Sequence, residues 1–256
     1  MIIRKSQSEL EKMRASGLLV WRILEEMRKM VKPGITTMDL ENAAEKMVTD
    51  AGARSAFKGY YVPAAGKRFP CVLCTSINEE VIHGVPSPKR VLREGDIVKV
   101  DIGVELGGYY GDSATTIPVG KISPEAERLL RVTEESLEVA IEQMVEGRKL
   151  FDVCGAVQQH VEQEGFSVVR EFVGHGIGSK LHEEPQVPNY VDAKMSNPRL
   201  REGVVLAIEP MVSAGGARTR VLDDRWTAVT KDGSRAAHFE HCVAVTSNGP
   251  WVLTRP

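Results

Sequence analysis

The chain has 256 residues with 33 basic and 35 acidic side chains, enough length for a full core and no charge excess that would recruit nucleic acid or anionic lipid. No apolar run approaches the roughly 18 residues of a membrane span, and the start, MIIRKSQSELEKMRASG, lacks an apolar segment with a cleavage site, so the expectation is a cytoplasmic protein. Four cysteines are too few to staple the fold, and Cys71 and Cys74 lack the second close pair of a zinc ribbon, so reduced, mostly buried thiols are expected.

Residues 6–31 carry Leu10, Met13, Leu18, Trp21, Leu24 and Met27 at helical spacing, and Pro33-Gly34 ends that helix. Thr36 or Thr37 caps a second helix running to Gly52. Strand signals, rich in Val, Ile and Thr, lie at 71–75, 97–104 and 113–119. Ser123-Pro124 is an N-cap followed by a first-turn proline and opens a helix to Gly147; another runs from Asp152 to Gly165. Further strand signals lie at 167–173, 204–212, 226–230 and 240–246. Two helices and a few hairpin-joined strands per half predict an α+β fold around a mainly antiparallel sheet.

The halves resemble each other. LREGDIVKVD at 92–101 and LREGVVLAIE at 200–209 both run from a Leu-Arg-Glu-Gly turn through apolar residues to one acid. The spacing from Asp39 to Gly52 recurs from Asp152 to Gly165, and His83-Gly84 is echoed by His175-Gly176. Three echoes in one order imply an internal duplication: a single domain, 1–256, with halves of roughly 1–120 and 121–256.

A carboxylate at the end of an apolar strand needs a partner, because a desolvated charge must be neutralised or must bind a cation. In DIGVELGGYYGD, a turn between Leu106 and Gly107 would set Asp101 directly opposite Asp112, with Cβ atoms about 4.5–5.5 Å apart. Two acids so close share a proton or a metal, and the local sequence is not that of an acid protease. FVGHGIGSKLH at 172–182 adds His175 between two glycines and His182 seven residues on, a spacing unlike the helical His-Glu-x-x-His zinc motif. Glu209 ends the second repeat strand and Glu240 opens a Val-rich one. Four carboxylates and one imidazole suit Mn²⁺, Fe²⁺, Co²⁺ or Zn²⁺, and they are more than one such ion needs; two ions with shared carboxylates is the economical reading.

Together with NEEVIHGVP at 78–86, GHGIGSKLHEEPQVPNY at 174–190 and AIEPMV at 207–212, these residues resemble type I methionine aminopeptidases over nearly the whole chain. That resemblance implies the pita-bread α+β fold and removal of the initiator methionine from nascent polypeptides with a small second residue, by a hydroxide bridging two divalent metals. Asp101, Asp112, His175, Glu209 and Glu240 stand at the metal-ligand positions, with Asp112 and Glu240 bridging, Asp101 on one ion, and His175 plus Glu209 on the other. His182 matches the histidine that polarises the scissile carbonyl, His83 the one near the scissile nitrogen, and Glu209 is the proton relay. Tyr60, Phe69, Cys74, Leu181 and Trp226 are expected to wall the methionine pocket.

The chain departs from the family pattern at a longer YVPAAGKR stretch bordering that pocket, at Leu181 in place of a frequent Phe, and at His238 where Gln is common. His238 either faces the site or packs at its rim, and a surface or packed histidine is the favoured expectation. A monomer meeting nascent chains through transient ribosome contact is implied. Retention of its own Met1, set by the large Ile2, is expected too. A proline-specific relative usually carries an extra N-terminal domain for which there is no room, a type II enzyme needs a helical insertion absent after His182, and a non-catalytic homologue would have lost ligands.

Overall fold

The computed structural model describes residues 2–63 and 65–256; Met1, and with it the expectation about its retention, lies outside them. Among the described residues four helices, α1 (Gln7–Met30), α2 (Thr37–Asp50), α3 (Pro124–Ile141) and α4 (Leu150–Gln163), pack in pairs on antiparallel sheets. Among the described residues no helix is long and apolar enough to cross a membrane. All four cysteines are free and buried.

Thr36 caps α2 by accepting the Asp39 N–H at 3.2 Å, while the Asp39 carboxylate accepts the Thr36 N–H at 2.7 Å. Asp152 does the second task in α4, accepting the Lys149 N–H at 2.8 Å, so it stands at the third helical position and not at the helix start. The third helix ends at Ile141, short of Gly147. Met144, fully buried, turns into the core there, and the Gly147 N–H donates to the Leu200 carbonyl at 3.0 Å instead of continuing a helix.

The two LREG turns are tied to the helix entries by matching bonds. Gly34 N–H donates to Leu92 O and Leu92 N–H to Ile35 O; Gly147 N–H donates to Leu200 O and Leu200 N–H to Arg148 O. Strand alternation then sends one set of side chains to the helices and the other inward. Val98, Val100, Ile102 and Val104 pack with Leu19, Val20, Ile23 and Leu40 of α1 and α2. Leu206, Ile208, Val243 and Val245 pack with Leu129, Val132, Val153 and Val157 of α3 and α4. Each such side chain sealed from water contributes about 1.5–3 kcal/mol against the cost of ordering it. The inward set holds Asp101, Gly103, Ala207 and Cys242, and the two inner faces meet where the Glu240 N–H donates to Ala114 O at 3.0 Å.

Several strands differ from the sequence expectation. The 204–212 signal is two strands, Val205–Ile208 and Met211–Ser213, in different sheets, because Pro210 has no N–H for the ladder. The 167–173 signal leaves only Ser167–Val168 as strand, and the chain re-enters a sheet at Gly174–Gly176. Ala236–His238, Glu80–Ile82, Glu183–Val187 and Gly249–Val252 are strands that periodicity missed; each is short, and Glu80–Ile82 finds its partner, Ala228–Thr230, far away in sequence.

Candidate metal centre

Strands Ile97–Leu106 and Tyr109–Pro118 form a hairpin around Gly107-Gly108, whose φ of 63° and 87° make the turn that favours the strand twist. Leu106 pairs with Tyr109, so Asp101 faces Ala114 and Asp112 faces Gly103. The two aspartates are therefore diagonal neighbours on one face, not the directly opposed pair that a turn one residue earlier would make; such diagonals are about 7–8 Å apart at the backbone. The residue across from Asp112 has no side chain, and a Cβ there would lie 3.2 Å from Asp112 Oδ1 and 2.9 Å from both Ala56 Cβ and Phe57 Cε1.

Cys74, Asp101, Ala114 and Glu240 lie in one row across the sheet. His175 sits in the middle of a strand, paired with Ala207, which pairs with Cys242. Glycines flank His175 because its neighbours come too close for any side chain: a Cβ at Gly174 would lie 2.3 Å from Ala207 O, and one at Gly176 2.2 Å from Glu184 O. The His175 imidazole takes its tautomer from the Gly176 carbonyl, 2.9 Å from Nδ1, leaving Nε2 free as a ligand atom. Glu209 and Glu240 stand where strands break, Glu209 between Ile208 and Pro210, Glu240 between Ala236–His238 and His241–Thr246.

Asp112, His175 and Glu240 each offer a ligand atom within 4.8 Å of the others. His175 Nε2 is 3.8 Å from Asp112 Oδ2 and 3.9 Å from Glu209 Oε1. Asp101 Oδ1, Asp112 Oδ1 and Glu240 Oε1 are buried with no hydrogen-bond partner. Orphaned acceptors in a dry site are costly, and a divalent cation is the partner this donor set fits. Burial holds all four carboxyls above their usual range, with mutual repulsion adding to it at Asp101, Glu209 and Glu240, while Asp112 is pushed up to about 7. Burial pushes His175 down to about 4. Neutral imidazole is the ligating form, and a cation would restore the carboxylates to theirs.

The cluster floors a cavity of about 580 Å³ that also meets Tyr60, Phe69, Cys74, Leu181 and Trp226. Phe69 and Trp226 stack edge to face, with ring centroids 5.2 Å apart, and pack with Ala65 and Cys74. His83 and His182 are exposed where they open onto the cavity, and the protein crowded around that opening lowers the basicity of both through desolvation. His83, at φ 59°, also meets the Phe172 ring. His182 lies against His175, with centroids 4.4 Å apart, and 3.0 Å from Tyr60 Oη through Nδ1.

Phe57, Val62, Ala65 and Phe172 also line the cavity and were not among the expected residues. Val62 and Ala65 come from the longer stretch after Tyr60, which pairs Tyr61–Val62 with Lys67–Arg68 as a small hairpin; its length was the available signal. His238 packs fully buried, as expected, but not inertly placed: neither nitrogen has a hydrogen-bond partner, and Nε2 is 3.8 Å from Glu209 Oε2. His160 and His241 face Glu135 and Thr254, away from the cavity.

The class of protein follows from comparison with known families: the profile of metallopeptidase family M24 matches residues 11–247. A Bacillus subtilis protein named Methionine aminopeptidase 1 is 49% identical over 255 residues, covering 100% of both chains, and an Aquifex aeolicus methionine aminopeptidase is 48% identical, covering 97% of each. The crystal structure of a Thermotoga maritima methionine aminopeptidase superposes with a TM-score of 0.94 at 46% identity, with both chains fully covered. An Xaa-Pro dipeptidase from Bacillus anthracis, at 21% identity and a TM-score of 0.77, shares the fold over 62% of its own length. The chain belongs to the methionine aminopeptidases of metallopeptidase family M24 and has their pita-bread fold.

Proposed function

We propose that this chain removes the N-terminal methionine from nascent polypeptides whose second residue is small. The observation that carries the reading is the union, in one cavity, of four carboxyls and an imidazole, three of which, Asp112, His175 and Glu240, can reach one ion, with an apolar wall. Asp112 and Glu240 would be shared between two divalent cations, with Asp101 completing one and His175 and Glu209 the other. Such cations would supply a water deprotonated near neutral pH and positive charge opposite the carbonyl oxygen.

The residues themselves divide the remaining work. Tyr60, Phe69, Cys74, Leu181 and Trp226 would enclose the methionine side chain, and the site carboxylates would hold its free α-ammonium, which restricts attack to the first peptide bond. As water oxygen bonds to the carbonyl carbon, His182 donates to the oxygen that gains charge. Glu209 takes the proton from the water and delivers it to the leaving nitrogen as the C–N bond breaks, and His83 stands near that nitrogen. A cytoplasmic monomer in transient contact with the ribosome accords with a substrate that is a new chain's first residue.

Purified protein with Mn²⁺ or Co²⁺ should release Met from Met-Gly and Met-Ala peptides and leave Xaa-Pro dipeptides largely intact. Faster cleavage of Xaa-Pro would overturn the assignment.

A further inference from the structure

Tyr60 has been counted by its ring, as part of the methionine wall, but its hydroxyl is what touches His182. Tyr60 Oη lies 3.0 Å from His182 Nδ1, and the rings meet edge to face with centroids 5.5 Å apart. Tyr60 is 42% exposed, yet its backbone is pinned. Tyr60 N–H donates to Phe57 O and Phe69 N–H to Tyr60 O, both at 2.9 Å, and Gly59 N–H donates to Phe69 O at 2.8 Å. These bonds close the base of the Tyr61–Val62/Lys67–Arg68 hairpin, so the length of the stretch after Tyr60 does not loosen it. On its other side His182 is braced by the His175 ring.

A neutral imidazole has one N–H and one bare nitrogen, and whichever bond one nitrogen makes decides what the other offers. If Nδ1 gave its proton to the phenol oxygen, the remaining nitrogen would be an acceptor, with nothing to give a carbonyl. If the phenol donates to Nδ1, the remaining nitrogen carries N–H. The phenol O–H is the stronger donor of the two and the bare imidazole nitrogen the stronger acceptor, which selects the second arrangement. The geometry points to Tyr60 as a positioning residue that locks His182 in its Nε2–H tautomer, so that His182 serves the reaction as a hydrogen-bond donor to the carbonyl oxygen and not as a base. This rests on the role given to His182 above.

Tyr60→Phe keeps the ring and removes only the hydroxyl. In metal-free protein with ¹⁵N-labelled histidine, His182 of the parent should show a single Nε2–H tautomer, and Tyr60→Phe should shift its Nδ1 resonance toward a mixture of tautomers. In the Mn²⁺-loaded enzyme, kcat on a Met-Ala peptide should fall about tenfold, the worth of one net hydrogen bond in the transition state. KM should stay within about twofold and metal content should not change. Placed on His182→Ala, the same substitution should cost nothing further. Unchanged His182 resonances, or a raised KM with kcat intact, would make Tyr60 a wall residue only and overturn the inference. If His182→Ala itself ran at the parent kcat, the role of His182 would fall and this inference with it. A slow His182→Ala beside a full-speed Tyr60→Phe would sink the Tyr60 inference alone.

Discussion

The two halves of the molecule deliver their carboxylates by different means. In the first, Asp101 and Asp112 project from an unbroken hairpin of two ten-residue strands, Ile97–Leu106 against Tyr109–Pro118, whose register leaves little freedom. In the second, Glu209 and Glu240 stand at breaks, where Val205–Ile208 gives way to Met211–Ser213 and Ala236–His238 to His241–Thr246. A continuous ladder aims a short side chain well, because the backbone itself sets the direction. At a break the backbone turns away, and the extra methylene of glutamate spans the gap. The lesson is that one cluster draws on a rigid side and an adjustable side.

The comparison breaks first if the central acids are not shared by both sides. Asp112→Ala and Glu240→Ala should each abolish tight metal binding, read by metal analysis after dialysis, and lower the rate by roughly a thousandfold or more. Because each deletes a buried carboxyl with one unpartnered oxygen, the metal-free variants should melt no lower than the metal-free parent. Retained metal in Asp112→Ala would remove it from the centre of the site.

A smaller effect tests whether the first half is the rigid one. In Gly103→Ala the new Cβ meets Ala56, Phe57 and Asp112 Oδ1, so stability should fall by about 1–3 kcal/mol and metal affinity with it. A melting temperature and metal affinity equal to the parent's would show that the hairpin yields and that the contrast between the halves is overstated.

The smallest effect is the pH dependence of the gain from metal. Carboxyls raised in the folded state favour folding at low pH, and that contribution is lost as pH rises through their folded values, Asp112 near about 7. His175, lowered to about 4, has the opposite sign, its contribution being lost as pH falls below about 6.5. Above that pH it no longer varies. Lys99, pushed down to about 7 by burial, titrates in both forms and cancels in the difference between them. The rise in melting temperature on adding Mn²⁺ should therefore grow between pH 6.5 and 8, by a few degrees. A gain that stays flat over that interval would mean the cluster is already ionised without metal.

Much of this site was legible because its signals are local. A helix cap such as Thr36 with Asp39, a Gly-Gly turn, and an acid ending an apolar strand each depend on a few neighbouring residues. The ligand candidates were named from local motifs and the family resemblance, but only Glu209 and Glu240 stand at strand ends; Asp101, expected to end its strand, lies inside Ile97–Leu106, and Asp112 and His175 are also within strands. The register of the Asp101–Asp112 hairpin was missed by a turn shift of one residue, enough to change an opposed pair into a diagonal one. The early end of α3 was missed because Met144 is drawn out of the helix by a core assembled from distant strands.

The sequence alone determined the α+β class, the helix pairs, the echo between halves and the residue types at the candidate cation site, since these follow from periodicity, capping chemistry and the cost of burying charge. Tertiary structure alone decided which atoms meet: Glu240 beside Ala114, Tyr60 Oη on His182 Nδ1, and His238 orphaned next to Glu209. Those contacts join residues more than a hundred positions apart, or across a strand break. Their distances depend on how whole sheets close on one another, and no local pattern encodes that.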